Sequence, residues 1–184
     1  MKVSFPIALF LAFVSLFTGF TSCGSDDGGL DSLLIKESVV EYRFSNNETK
    51  DKFVLQLTGQ KAAEADLKFF IVTASGDTIY RELLKGKDLL PEDVAEGGPE
   101  KDVRETIVKG MELFFDNAKF QTPAAAGGDF PEKNDIDIDT YRGIQADPAA
   151  VSFFYKTRGP VQNKIAYDKA KKETVLFYSC CRNQ

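Results

Sequence analysis

The stretch NDIDIDTY places Asp135, Asp137 and Asp139 at alternate positions. On a strand, alternate residues share one face, and three carboxylates there repel one another unless a cation or water lies between them. By residue type this is calcium chemistry, with the opening spacing of a calcium loop. The remainder of such a loop is missing. Thr140 stands at the sixth position, where a glycine is needed, and Ala146 at the twelfth, where a bidentate glutamate is needed. A plain edge strand with Ile136 and Ile138 turned inward explains the same residues. Calcium at Asp135, Asp137 and Asp139 is the subordinate reading.

The chain contains no histidine and no tryptophan. Without histidine there is no Ser-His-Asp or Cys-His catalysis, no His-ligated zinc, and none of the commonest acid–base residue. What remains for an enzyme is a pair of carboxylates, as in glycoside hydrolysis. Among 28 acidic residues no local motif singles out such a pair, and no glycine-rich phosphate loop or nucleophile elbow is present. A non-enzyme is expected, with no cofactor. Of three cysteines, Cys180 and Cys181 are adjacent near the C-terminus. They form a vicinal disulfide only through a distorted turn, because neighbours on a strand point to opposite faces. The simpler reading has one packed as a small hydrophobe and the other exposed.

The elements that would position these groups are read from periodicity. SVVEYRF alternates with Val40, Tyr42 and Phe44 on one face, and FVLQLT with Phe53, Leu55 and Leu57 inward across the turn NNETKD. DLKFFIVTA and DTIYRELL flank Ser75-Gly76, a hairpin turn in which glycine supplies positive φ. FFIV is apolar on both faces, which marks a central strand beneath a helix. That helix starts near Pro99 and carries Val103, Ile107, Met111, Phe114, Phe115 and Ala118 at spacings of three and four. Its first turn is acidic and Lys119 lies at its other end, both suited to the helix dipole. A loop, Thr122 to Asp135, precedes AVSFFYK, NKIAYD and ETVLFYSC, the last two joined by the basic turn Lys169–Lys172, whose lysines read most simply as solvated. The expected fold is α+β: one antiparallel sheet of about six or more strands, with one long helix packed on a face.

The N-terminus has a different character. Lys2 is followed by the uncharged, apolar run Val3–Phe20, then Thr21-Ser22-Cys23. This is the layout of a secretory signal peptide, not of a retained transmembrane helix. Phe20-Thr21-Ser22-Cys23 resembles the lipobox of bacterial lipoproteins, with Phe where Leu is usual. The resemblance implies cleavage before Cys23, a diacylglycerol on its thiol and a further acyl chain on the new amino group. Several chains anchor a protein stably where one does not. Ser25–Gly29, SDDGG, resembles the acidic export signal of Bacteroidota surface lipoproteins, set one residue late by Gly24. That favours display on the outer surface over the periplasmic face of the outer membrane. Asp31-Ser32-Leu33 and Asp77-Thr78-Ile79 resemble the Bacteroidota O-glycosylation motif, so Ser32 and Thr78 are candidate sites.

These readings divide the chain into a signal peptide (1–22), a lipidated cysteine with an acidic tether (23–34) and one α+β domain (35–184). All 28 acidic residues follow Cys23, against every basic residue but Lys2. Nucleic acid, which needs a basic stripe, is not an expected partner. The first expectation is a lipid-anchored envelope protein acting as a non-enzymatic module that binds a protein or glycan. The alternative is an inhibitor or immunity protein against a secreted enzyme or toxin, to which the Thr122–Asp135 loop is suited. The body of the chain resembles no family.

Overall fold

In the computed structural model, which describes residues 34–125, 136–159 and 161–180, four strands come first: β1 (Leu34–Tyr42), β2 (Asp51–Thr58), β3 (Asp66–Val72) and β4 (Thr78–Lys85). They pair antiparallel in chain order. Alternation sets their inner face, where Phe53, Leu55 and Leu57 lie opposite Ile71, Phe69 and Leu67, all fully buried. The β3–β4 turn closes through Thr73 N–H to the Asp77 carbonyl (2.8 Å) and Gly76 N–H to the Thr73 carbonyl (3.0 Å). Gly76 supplies the positive φ expected of it, at 94°. At the β1–β2 turn, the buried Asp51 carboxylate accepts from Ser45 N–H (2.6 Å) and Ser45 Oγ (3.0 Å).

The remaining strands do not extend this sheet. The short β5 (Phe120–Gln121), β6 (Ser152–Lys156), β7 (Gln162–Asp168) and β8 (Glu173–Cys180) form a second four-stranded antiparallel sheet. The expectation of one sheet of six or more strands is therefore corrected to two sheets of four. Alternation tells which side of a strand is apolar but not which sheet it joins. Each sheet has an apolar inner face, and the two cover each other. Phe153 meets Phe53 and Phe69 at ring-centre distances of 5.5 and 5.7 Å, and Tyr155 meets Phe69 at 5.7 Å. At one margin Tyr42 stacks on Phe120 at 4.0 Å; at the other, β4 and β8 run alongside.

Helix α1 (Glu100–Phe114) adds Val103, Ile107, Met111 and Phe114 to the same core. Pro99 is its N-cap, one residue earlier than the first-turn position expected. The apolar stripe ends sooner than expected, because Ala118 is exposed in a 3-10 turn, Asn117–Lys119. Lys119 stays near the helix end for a definite reason: its Nζ donates to the carbonyls of Leu113 (2.8 Å) and Phe114 (3.2 Å).

One helix becomes two. α2 (Ile138–Ala146) occupies the segment read as an Asp-bearing edge strand, and buries Thr140, Tyr141 and Ile144 at helical spacing. It packs with Ile136, Ala166 and Phe177 in a separate, smaller cluster. Ile138 is 43% exposed rather than turned inward. The basic β7–β8 turn, expected to be merely solvated, grips both ends of α2. Lys171 pairs with Asp137 at 2.8 Å and Lys169 with Asp147 at 2.6 Å. Among the described residues no helix is long and apolar enough to cross a membrane. All of these elements belong to one compact unit, Asp31–Gln184.

Candidate ligand groove

Alternation that buries one face of the first sheet must turn the other outward. On that outer face Val39, Val54, Phe70 and Arg81 form a row across the four strands, and Glu37, Gln56, Lys68 and Leu83 form the next. Phe70 stands directly opposite Arg81, and Lys68 opposite Leu83. The β3–β4 pair thus presents two apolar side chains on one diagonal and two cations on the other, with diagonal neighbours about 7–8 Å apart. Leu83 is 63% exposed and Val39 47%, while Phe70 is half-buried. A groove of about 500 Å³ lies here, lined by Lys68, Phe69, Phe70, Thr78, Arg81, Glu82 and Leu83.

The charges of this groove are uncommitted. Arg81 and Lys68 take part in no ion pair among the described residues. Asp66, close by in sequence, is already held by Lys85 at 2.7 Å. That bond pulls the Asp66 carboxyl below its ordinary range, and Lys68 adds only the last and smallest push. Another cleft, of about 380 Å³, gathers Lys119, Lys156 and Arg158 beside Asp88 and Glu92. Its cations serve the fold. Lys119 caps α1, Arg158 reaches the Val94 carbonyl (3.2 Å) and Glu96 (3.1 Å), and Lys156 lies over Phe154. On the second sheet, the hollow beside Phe154 and Tyr178 has its lysine, Lys164, bonded to Gln121 at 2.9 Å.

Beneath the groove lies a polar tie. Glu82, on the inner side of β4, accepts from Tyr155 Oη of β6 (2.5 Å) and from Tyr80 Oη (3.1 Å), and the two phenols are 2.9 Å apart. Burial, and secondly the Glu82 charge, raises the Tyr80 pKa; burial, then Tyr80 and Glu82, raises that of Tyr155. Both phenols therefore stay protonated at neutral pH and serve as donors, not as phenolate bases. The cluster fixes the register of β4 against the second sheet. Among the described residues lining the groove, Glu82 is the only carboxylate.

Of the sites expected from sequence, Thr78 alone among the described residues borders this groove. Asp137 and Asp139 do not share a strand face. Asp137 is the N-cap of α2, accepting from Thr140 N–H (2.9 Å), Thr140 Oγ1 (2.8 Å) and Lys171 Nζ (2.8 Å). Those three donors, Lys171 foremost, hold its carboxyl well below the usual carboxylate range. Asp139 lies in the first turn of α2, and Asp135 is outside the described residues. Among the described residues no three acidic or cysteine side chains gather as a metal site. Cys180 is half-buried at the end of β8 opposite Gln162, while Cys181, Cys23 and Ser32 lie outside the described residues. Thr78 is exposed, opens β4 and stands at the rim of the groove.

The groove itself had a signal in the sequence. FFIV is apolar on both faces, and Leu83-Leu84 sets two large apolar residues side by side in β4, one on each face. The expectation placed a helix over β3, and α1 does cover its inner face, with Phe69 5.4 Å from Phe114. Among the described residues no helix covers half-buried Phe70 on the other face. Comparison with known proteins gives no match: no family model, no curated sequence and no solved structure is similar to this chain.

Proposed function

We propose that the protein is a lipid-anchored envelope protein, tethered through Cys23, whose folded part is a non-enzymatic binding module with its ligand site on the outer face of β3 and β4. One observation carries the site: exposed Leu83 and half-buried Phe70 lie beside two cations, Lys68 and Arg81, that form no ion pair among the described residues. Fully covering a side chain of this size contributes about 1.5–3 kcal/mol, whereas an exposed ion pair contributes about 0–1 kcal/mol. Apolar contact thus supplies most of the affinity, and the charges orient what binds. The lipobox-like Phe20–Cys23 and the acidic run Ser25–Gly29 support an anchored, surface-facing placement. The inhibitor reading draws on the Thr122–Asp135 loop, most of which lies outside the described residues. A glycan on Thr78 would stand at the groove rim and crowd it.

Two measurements test the reading. Cys23→Ala should abolish acyl labelling and leave an unprocessed precursor; persistent labelling contradicts the anchor. Small molecules that copurify with the full chain from native membranes should include a species lost with Leu83→Asp. Identical copurifying species from both chains contradict the groove as the binding site.

A further inference from the structure

With the β3–β4 groove as the binding site, its lining also constrains the ligand, and the ligand class assigned to it rests on that reading. The outer face offers apolar surface at exposed Val39, half-buried Phe70 and, on the next row, exposed Leu83, with Val54 buried between Val39 and Phe70. Among the described lining residues, polar groups able to satisfy the many hydroxyls of a sugar are few, with Thr78 the only neutral polar side chain. The cations are not at the centre of the floor but on the diagonal that crosses the apolar one. Both are on long, flexible stems that lie along apolar surface and carry the charge at the tip. A ligand with a flat or chain-like apolar body can rest on Phe70 and Leu83 and turn one anionic end to either tip. A neutral hydrocarbon would bury the same area but leave both cations without a partner, and a highly charged glycan would cover Leu83 with polar groups.

The competing charges have been placed. Glu82, the only carboxylate among the described lining residues, has its side chain directed to the interior, where two tyrosines donate to it. Glu37 bonds Gln56 at 2.6 Å, which holds it on the β1–β2 side of the sheet. The formal charges nearest Phe70 on the outer face, Lys68 and Arg81, are thus both positive, although the chain as a whole carries a net charge of −5.

We infer that the β3–β4 groove is a binding site for a small amphiphilic carboxylate, an aryl or aliphatic acid whose body lies on Phe70 and Leu83 and whose carboxylate lies between Lys68 and Arg81.

The test uses the full chain in nanodiscs of zwitterionic lipid, with 2-naphthylacetate and its neutral amide as probes, by equilibrium dialysis. Discs bearing the double variant Lys68→Ala, Arg81→Ala and discs bearing Leu83→Asp serve as controls for uptake by lipid. The expected result is saturable binding of the acid, at least about fivefold tighter than the amide, which is the scale that two exposed ion pairs can provide. The double variant should bind acid and amide alike, and Leu83→Asp should bind neither. Circular dichroism checks that both variants, which alter outward-facing side chains, keep the fold. Equal binding of acid and amide by the unaltered chain, with both lost in Leu83→Asp, overturns the carboxylate inference and leaves the groove as the site. Absence of saturable binding of either probe above the level of Leu83→Asp discs overturns both.

Discussion

Tyr155 of β6 donates its hydroxyl proton to Glu82 of β4 across the space between the two sheets, at 2.5 Å. The bond joins a fully buried phenol to a carboxylate lying directly beneath the groove, so one contact links the groove to the packing of the core. Tyr80 completes the tie from within β4.

Its consequence is a loss of stability in alkali. Burial and the Glu82 charge raise both phenol pKa values above the ordinary tyrosine value. The unfolded chain releases these protons near pH 10, about the unperturbed tyrosine value. Stability from this cluster is therefore complete below that pH and is lost as pH rises above it. Tyr80 and Tyr155 should remain un-ionised, by near-ultraviolet phenolate absorbance, until far-ultraviolet circular dichroism reports unfolding. Ionisation of all six tyrosines before any change in dichroism would contradict the tie. At neutral pH, Tyr155→Phe should cost about 1–3 kcal/mol in urea denaturation, because Glu82 loses a buried donor.

Asp137 offers a second handle. As the cap of α2 it accepts from Thr140 and also pairs with Lys171 on the β7–β8 turn. Asp137→Asn keeps an N-cap acceptor but loses the ion pair, and Asp137→Ala loses both. Amide exchange at Thr140 and Tyr141 should quicken in the order wild type, Asn, Ala. A depressed carboxyl stabilises the fold above its unfolded value of about 3.9. The advantage fades as pH falls through the lower folded value. In wild type, then, α2 should loosen first on acidification, and equal exchange in all three chains would refute the capping role.

Two glycines should respond oppositely to alanine. A Cβ on Gly86 would lie 1.8 Å from the Ala62 carbonyl oxygen, where backbone must move to admit it. Gly86→Ala should cost about 3 kcal/mol, the upper end for overpacking a filled interior. Gly143, within α2, has no atom within 4 Å of such a Cβ. Gly143→Ala should stabilise by about 0.8–1.0 kcal/mol through helix propensity alone. Thermal melts of the two variants decide both.

These residues also show how much was legible beforehand. Phe53, Leu55, Leu57 and the positive φ of Gly76 were readable because strand alternation and a hairpin glycine are local signals. The division into two sheets was not, since nothing local records which strand a given apolar face will meet. Asp135, Asp137 and Asp139 misled because a period of two happened to overlie a helix start. Asp137 with Thr140 three residues on, then Tyr141 and Ile144 at helical spacing, was the competing signal. Likewise the lysines of the β7–β8 turn read as solvent-facing, since their partners Asp137 and Asp147 are distant in sequence. The groove was only half visible: FFIV read as apolar on both faces, but Leu83 was not singled out, and the pairing of Phe70 with Arg81 and of Leu83 with Lys68 is a matter of register.

The most direct test of the groove is photolabelling of the full chain in zwitterionic nanodiscs with benzophenone-4-carboxylate, followed by peptide mass spectrometry. Labelling should concentrate on β3 and β4, between Lys68 and Leu83, and disappear in Leu83→Asp. Labelling spread evenly over the surface, or centred on the cleft of Lys119, Lys156 and Arg158, would contradict the assignment of the binding site to this face.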